Sequence, residues 1–233
     1  MAERPNSSGE KITLEELQSR EERNPKIVMR SRMEGTVIRE LAKRLDLTTY
    51  IDLGCWVGLL AQQALQDNDF ERAVLVDAVA TCLQKTSAKI GSSVTAEYHQ
   101  VAIVADTERR IFRIPGYDTS CAGFGQEGVA IDVLQVGVCS FLETLKVDLA
   151  TTYLKIDLEG LDLKIANQLC QANLFPRVLH IEFGTHAEFD FLYSLMKGSY
   201  RFPEKRDGHA FYSMALSKER GILIGFDPDI TYM

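Results

Sequence analysis

Residues 50–58 read Tyr50-Ile51-Asp52-Leu53-Gly54-Cys55-Trp56-Val57-Gly58. A short apolar run carries an acid near its end, Gly54 follows two positions later, and Gly58 leads into a helical stretch over 57–68. Gly54 permits a tight backbone turn, and Gly58 lets the helix approach both the strand and a ligand. That arrangement places a ligand at a helix N-terminus, outside the carboxyl end of a strand. A second apolar run, 73–77, ends in Asp77, nineteen positions after Gly58. In a nucleotide-binding βαβ unit an acid near that offset accepts hydrogen bonds from ribose hydroxyls.

Working outward, apolar runs at 50–53, 73–77, 101–104, 153–158 and 178–183 read as buried strands, and helical stretches fall at 57–68, 79–90, 140–147 and 161–173. The alternation predicts an α/β fold: a doubly wound, Rossmann-like sheet of about seven strands with helices on both faces. Residues 200–202, 210–217 and 222–226 read as sequential strands, with turns at Asp207-Gly208 and Arg220-Gly221. They predict an antiparallel C-terminal edge. Upstream, residues 1–11 are polar and read as a disordered leader. Thr13 and Glu16 form a capping-box pattern for a short helix to about Arg23, ended by Asn24-Pro25. A second N-terminal helix is expected over 34–47, with Val37, Leu41 and Leu45 on one face. The chain divides into a leader and helix, 1–33, and one domain, 34–233.

The 233 residues carry 26 Lys+Arg against 33 Asp+Glu, a net charge of −7, and are 45% hydrophobic. Such a chain builds a sizeable core without disulfides or metals. Its acidic balance argues against nucleic acid or a membrane surface as partner, because both need attraction to phosphate. The five cysteines are separated by 27, 39, 18 and 31 positions with no Cys-x-x-Cys pair, the usage of reduced thiols. No apolar run approaches the roughly 18 residues of a membrane span, and a cytoplasmic protein is expected.

The first loop also discriminates among ligands. A dinucleotide site wants glycine in the middle of its motif so that a pyrophosphate can lie against the backbone, and here that place is held by Trp56. An acid just before the loop suits a cationic ligand instead, and S-adenosylmethionine carries an ammonium and a sulfonium but no phosphate. Three other readings remain: a merely tight turn, an NAD(P)-dependent oxidoreductase, and a non-catalytic protein that keeps the fold.

Residues 52–58, 74–77, 99–106, 178–182 and Lys155-Ile156-Asp157-Leu158-Glu159-Gly160, the last preceded by the segment 140–145, together resemble the FkbM-type methyltransferases. The likeness spans about 34–200. It implies a class I methyltransferase sheet, S-adenosylmethionine as cofactor, and transfer to a hydroxyl of a small molecule such as a natural product or sugar. It also implies a cofactor-binding set of Glu34, at the methionine end, with Asp52, Gly54, Cys55, Trp56, Gly58, Asp77, Ala78 and Ala102. This chain departs from the family pattern at Cys55-Trp56, where Ala-Asn is usual, and at Asp77-Ala78, where Glu-Pro is usual.

Deprotonating a hydroxyl requires a general base or a metal. Lys155, Asp157 and Glu159 alternate along one face of the fourth strand. Asp157 is expected beside the first loop, with Glu182 at the end of the fifth strand. The candidate catalytic set is therefore Asp157, Glu182, His186 and Lys155. Lys155 would pair with a carboxylate, and Asp157 with Glu182 could hold Mg²⁺. The competing reading is a structural ion network. His180 reads as a sheet histidine, His209 as solvated and Cys55 as packing. Residues 107–130, with Arg109, Arg110, Arg113, Tyr117 and Phe124, read either as a lid or as a hairpin with a charged edge.

Overall fold

The computed structural model describes residues 18–19, 22–67, 69–92, 94–105, 111–114, 129–200 and 221–226. Asn24 does not merely end what precedes it. Its side chain accepts from Lys26 N, Pro25 takes the first helical position, and helix α1 runs over Pro25–Leu45. It therefore begins nine residues before the expected start at Glu34 and passes without a break through the 33/34 division. The Thr13–Glu16 pattern lies outside the described residues.

Six strands form the main sheet in the order β10-β9-β8-β1-β2-β3. They are β1 (Thr49–Leu53), β2 (Arg72–Asp77), β3 (Thr95–Gln100), β8 (Thr152–Ile156), β9 (Val178–Phe183) and β10 (Gly221–Phe226). All neighbours are parallel except β9 and β10, so the sheet is doubly wound with an antiparallel edge, as expected. Six described strands make up this sheet; residues 201–217, where further strands were expected, lie outside the described set.

The third strand corrects the sequence reading. Sheet position next to β2 is filled by β3, a polar stretch whose Glu97 pairs with Arg72 at 2.6 Å. An edge strand has one neighbour and a half-solvated face, so it needs no apolar run. The apolar run at 101–104 instead supplies β4 (Ala102–Val104), which pairs with β7 (Gln135–Gly137) in a separate two-stranded ladder beside the strand ends. Likewise β5 (Phe112–Ile114) and β6 (Val129–Ile131) pair antiparallel, which brings the described ends of the 107–130 segment together. Arg109, Arg110, Tyr117 and Phe124 lie outside the described residues.

Helices α2 (Leu59–Ala64) and α3 (Ala80–Ile90) join α1 on one face of the sheet; α4 (Val138–Leu145), α5 (Asp162–Gln171) and α6 (His186–Met196) cover the other. The second face is apolar at its centre, with Ile51, Val74, Leu154 and Leu179 at 0–1% exposure. The first face is not. Tyr50, Asp52, Tyr153, Lys155 and His180 lie there in register, buried under α1 among Ala73, Leu75 and Val178. Polar groups placed there must be satisfied by one another.

Candidate active site

That buried polar layer rises into a cavity at the carboxyl ends of β1, β2 and β8. Tyr50 Oη donates to Asp52 Oδ2 at 3.0 Å, and Lys155 Nζ donates to Asp52 Oδ1 at 2.9 Å and to Gly54 O at 3.3 Å. Lys155 Nζ also stands 3.3 Å from Asp157 Oδ2. From above, the Arg30 guanidinium bridges Glu34 through Nε and Glu182 through Nη2, the latter at 3.2 Å. One layer lower, Tyr153 Oη meets His180 Nδ1 at 2.8 Å. Burial, together with Lys155 and Arg30, lowers His180 to about 3, so its imidazole is neutral.

The cavity is lined by Glu34, Asp52, Gly54, Cys55 and Trp56, and beyond them by Asp77, Ala78 and Ala102. Every proposed cofactor residue except Gly58 thus lies on it. Gly58 has φ +72°, and a Cβ there would meet Thr86 Cγ2 at 2.7 Å. That contact lets α2 approach α3 closely. Gly54, φ +85°, has a comparable cause: a Cβ would run into the carbonyl oxygen of Asp157, so the loops after β1 and β8 touch backbone to backbone. Cys55 is buried beside Thr86, and burial raises its thiol well above the usual range, as for a packing residue.

Asp77 closes the far side. Its Oδ2 accepts from Trp56 N at 2.9 Å and its Oδ1 from Val79 N at 2.8 Å, which leaves one lone pair on each oxygen. Burial outweighs these two hydrogen bonds and pushes Asp77 up to about 7. Burial also raises Asp52, against Lys155, and Glu34, against Arg30.

Asp157 and Glu182 both line the cavity, and their surroundings push the two carboxyls in opposite directions. Burial works against the charge of Asp157, but Lys155 and Arg30 hold it below the ordinary range. Burial and the neighbouring Asp157 push Glu182 up. Both also line a second cleft with Glu159, Asp162 and Glu188. In it, the Asp162 carboxylate accepts from Leu158 N and Gly160 N, and Glu188 accepts from Gly184 N and Thr185 N.

Two expectations are corrected. His186 is exposed in the first turn of α6, behind a Thr185–Glu188 capping box, and lines neither cleft. The Mg²⁺ reading finds no support. No cation-holding cluster of three or more His, Cys, Asp or Glu occurs among the described residues, and Lys155 and Arg30 each already take one oxygen, of Asp157 and Glu182 respectively. No described helix is long and apolar enough to cross a membrane.

Sequence reasoning missed Arg30, because α1 was started too late, although Arg30 and Glu34 at i,i+4 are themselves a helical signal. It also missed Tyr50, which an apolar run conceals, and Phe112, which lines the cavity from β5.

No family model matches the chain. No curated protein matches it either, so the FkbM-type likeness stays a resemblance. Solved structures do resemble it. The methyltransferase domain of a bacterial Hen1 protein (CtHen1-C) is 13% identical with a TM-score of 0.47, over 84% of this chain and 97% of that one. The N-methyltransferase NodS from Bradyrhizobium japonicum, in complex with S-adenosylhomocysteine, is 8% identical with a TM-score of 0.46, over 90% and 91%. The N-terminal domain of human METTL16, also with S-adenosylhomocysteine, is 10% identical with a TM-score of 0.43, over 82% and 67%.

Proposed function

We propose that the chain is an S-adenosylmethionine-dependent methyltransferase acting on a hydroxyl of a small-molecule acceptor. The observation that carries the reading is the charge of the cavity. Glu34, Asp52, Asp77, Asp157, Glu159 and Glu182 face it against only Arg30 and Lys155, and burial raises four of the six acids. Crowded carboxyls in a low dielectric favour a cationic guest.

Asp77 suits a ribose, because each of its oxygens keeps a lone pair for a hydroxyl. Trp56, Ala78, Ala102 and Phe112 give the same end an apolar wall for a flat base. Glu34 and Asp52 suit the ammonium end. When bound, S-adenosylmethionine supplies an electrophilic methyl group; the chain's own contribution is orientation and proton management. Asp157 would accept the proton of a hydroxyl presented through the second cleft, with Lys155 Nζ 3.3 Å away to orient that carboxylate and Arg30 holding the neighbouring Glu182.

A nicotinamide dinucleotide fits less well. The Trp56 N–H, which a pyrophosphate would require, is already bound by the Asp77 carboxylate, and that anion would repel the phosphates.

Incubation with methyl-labelled S-adenosylmethionine and a fractionated cell extract tests the reading. Label is expected in the low-molecular-mass fraction with the native chain and not with Asp157→Asn. Label confined to the nucleic acid or protein fraction would overturn the small-molecule assignment.

A further inference from the structure

Of the two cations that face the cavity, one has no donor to spare. Lys155 Nζ has three hydrogens and meets three oxygens: Asp52 Oδ1 at 2.9 Å, Gly54 O at 3.3 Å and Asp157 Oδ2 at 3.3 Å. The other cation is Arg30. Its Nε is on Glu34, one turn further along α1, and its Nη2 stands 3.2 Å from Glu182 Oε1 of β9. Its Nη1 donates to no described residue, and the side chain is 30% exposed where it lines the cavity.

The backbone around the same end of the cavity is equally committed. In the loop after β1, Gly54 N and Cys55 N both donate to Val76 O at 3.0 Å, and Trp56 N donates to Asp77. After β8, Asp157 N is bound to Leu53 O and Leu158 N to the Asp162 carboxylate. Every other charged side chain on the cavity is an acid. S-adenosylmethionine nevertheless brings one anion, the carboxylate of its amino-acid end, beside its ammonium. A carboxylate entering a cavity of carboxylates is repelled unless a cation meets it.

We propose that Arg30 receives that carboxylate, so that Arg30 and Glu34, neighbours on one face of α1, together read the cofactor's zwitterion: guanidinium to carboxylate, Glu34 to ammonium. The proposal rests on the methyl-transfer reading and supplies the partner for the one charge of the cofactor that the acids cannot hold. Arginine suits the task. Its planar fork binds two carboxylates from two elements and still presents a donor to a third, whereas an ammonium is a single point charge. An Arg30 that merely tied α1 to β9 would use the same two ion pairs but would not distinguish ligands with and without a carboxylate.

Isothermal calorimetry on the full chain makes that distinction. The ligands are S-adenosylhomocysteine and its decarboxylated analogue, the aminopropyl thioether of adenosine, which keeps the ammonium. A hydrogen bond between charged groups is worth roughly tenfold or more in affinity. Arg30→Gln is expected to weaken S-adenosylhomocysteine by that factor relative to the analogue, a double-mutant cycle in which the ligand's carboxylate is the second deletion. Arg30→Lys, which keeps the charge and loses the fork, should show a smaller fall in the same ratio. A ratio unchanged from the native chain would overturn the proposal, as would a variant that weakens both ligands alike. Should Arg30→Gln fail to fold, the Arg30→Lys ratio decides by itself. A native chain that binds neither compound would overturn the methyl-transfer reading itself; S-adenosylhomocysteine binding with an unchanged ratio would remove Arg30 from the cofactor and leave that reading standing.

Discussion

Lys155 and Asp52 are register partners on adjacent parallel strands, and their ion pair, 2.9 Å long, is almost wholly out of water at 6% and 1% side-chain exposure. Burying two charges costs about as much as their attraction returns, so the pair is weak as a source of stability. Its consequence is placement: it fixes Lys155 where the ammonium also meets Gly54 O and Asp157 Oδ2, at the rim of the cavity.

Removing one partner of such a pair leaves an uncompensated buried charge, at a cost of about 3–5 kcal/mol. Lys155→Met is accordingly expected to lower stability by that order in urea denaturation. Adding Asp52→Leu should restore most of it while S-adenosylhomocysteine binding remains impaired. A single Lys155→Met variant as stable as the native chain would contradict the pairing.

Asp77 carries the ribose end of the account. Replacing it with Asn keeps one acceptor oxygen and removes the other, together with the charge. A hydrogen bond to a charged group is worth about 1.5–3 kcal/mol, so S-adenosylhomocysteine affinity should fall roughly tenfold or more. Trp56, the chain's single tryptophan, lines the cavity and serves as the reporter. Unchanged affinity would remove Asp77 from the site.

The same residue sets a pH dependence. Burial raises Asp77 to about 7 in the folded chain, whereas an unfolded aspartate titrates near 4. Between those values the folded state holds a proton that the unfolded state has lost, so this contribution to stability declines as pH rises through the window. His180, lowered to about 3, acts in the opposite sense, but only up to its unfolded pKa near 6.5. Above that pH the carboxyls act alone, with Glu182, also raised, adding to the trend. The cofactor-free protein is expected to lose on the order of 1 kcal/mol between pH 6.5 and 8. Urea midpoints measured across that range check it, and Asp77→Asn should flatten the slope.

Trp56 makes a prediction about the wrong ligand. Its N–H is bound to Asp77, and its indole stands where a dinucleotide motif has glycine. NADH titrated to millimolar concentration should leave Trp56 emission unchanged beyond inner-filter correction. Saturable quenching would favour an oxidoreductase.

Much of this architecture is legible in the residues themselves. The apolar runs of β1, β2, β8 and β9 are bounded by charge or glycine, as expected of strands covered by helices on both faces. The two strand-end acids, Asp52 and Asp77, can be placed for the same reason. What periodicity conceals is position relative to the edge. Thr95–Gln100 is a strand because β2 offers it hydrogen bonds, and nothing apolar marks it. The run at 101–104 is apolar because it lines a cavity and pairs with β7. His186 looked like a base by proximity in sequence to Glu182, but the capping box of α6 turns the chain away between them. Arg30 acts across the fold, and contacts of that range leave no local pattern beyond its spacing from Glu34.

The central claim is that the acid-rich cavity between Asp52 and Asp77 holds a sulfur nucleoside, and isothermal calorimetry on the purified chain tests it most directly. Titration with S-adenosylhomocysteine and with S-adenosylmethionine should each give one saturable site, weakened in Asp77→Asn. A native, folded chain that releases no heat of binding with either compound would contradict the account.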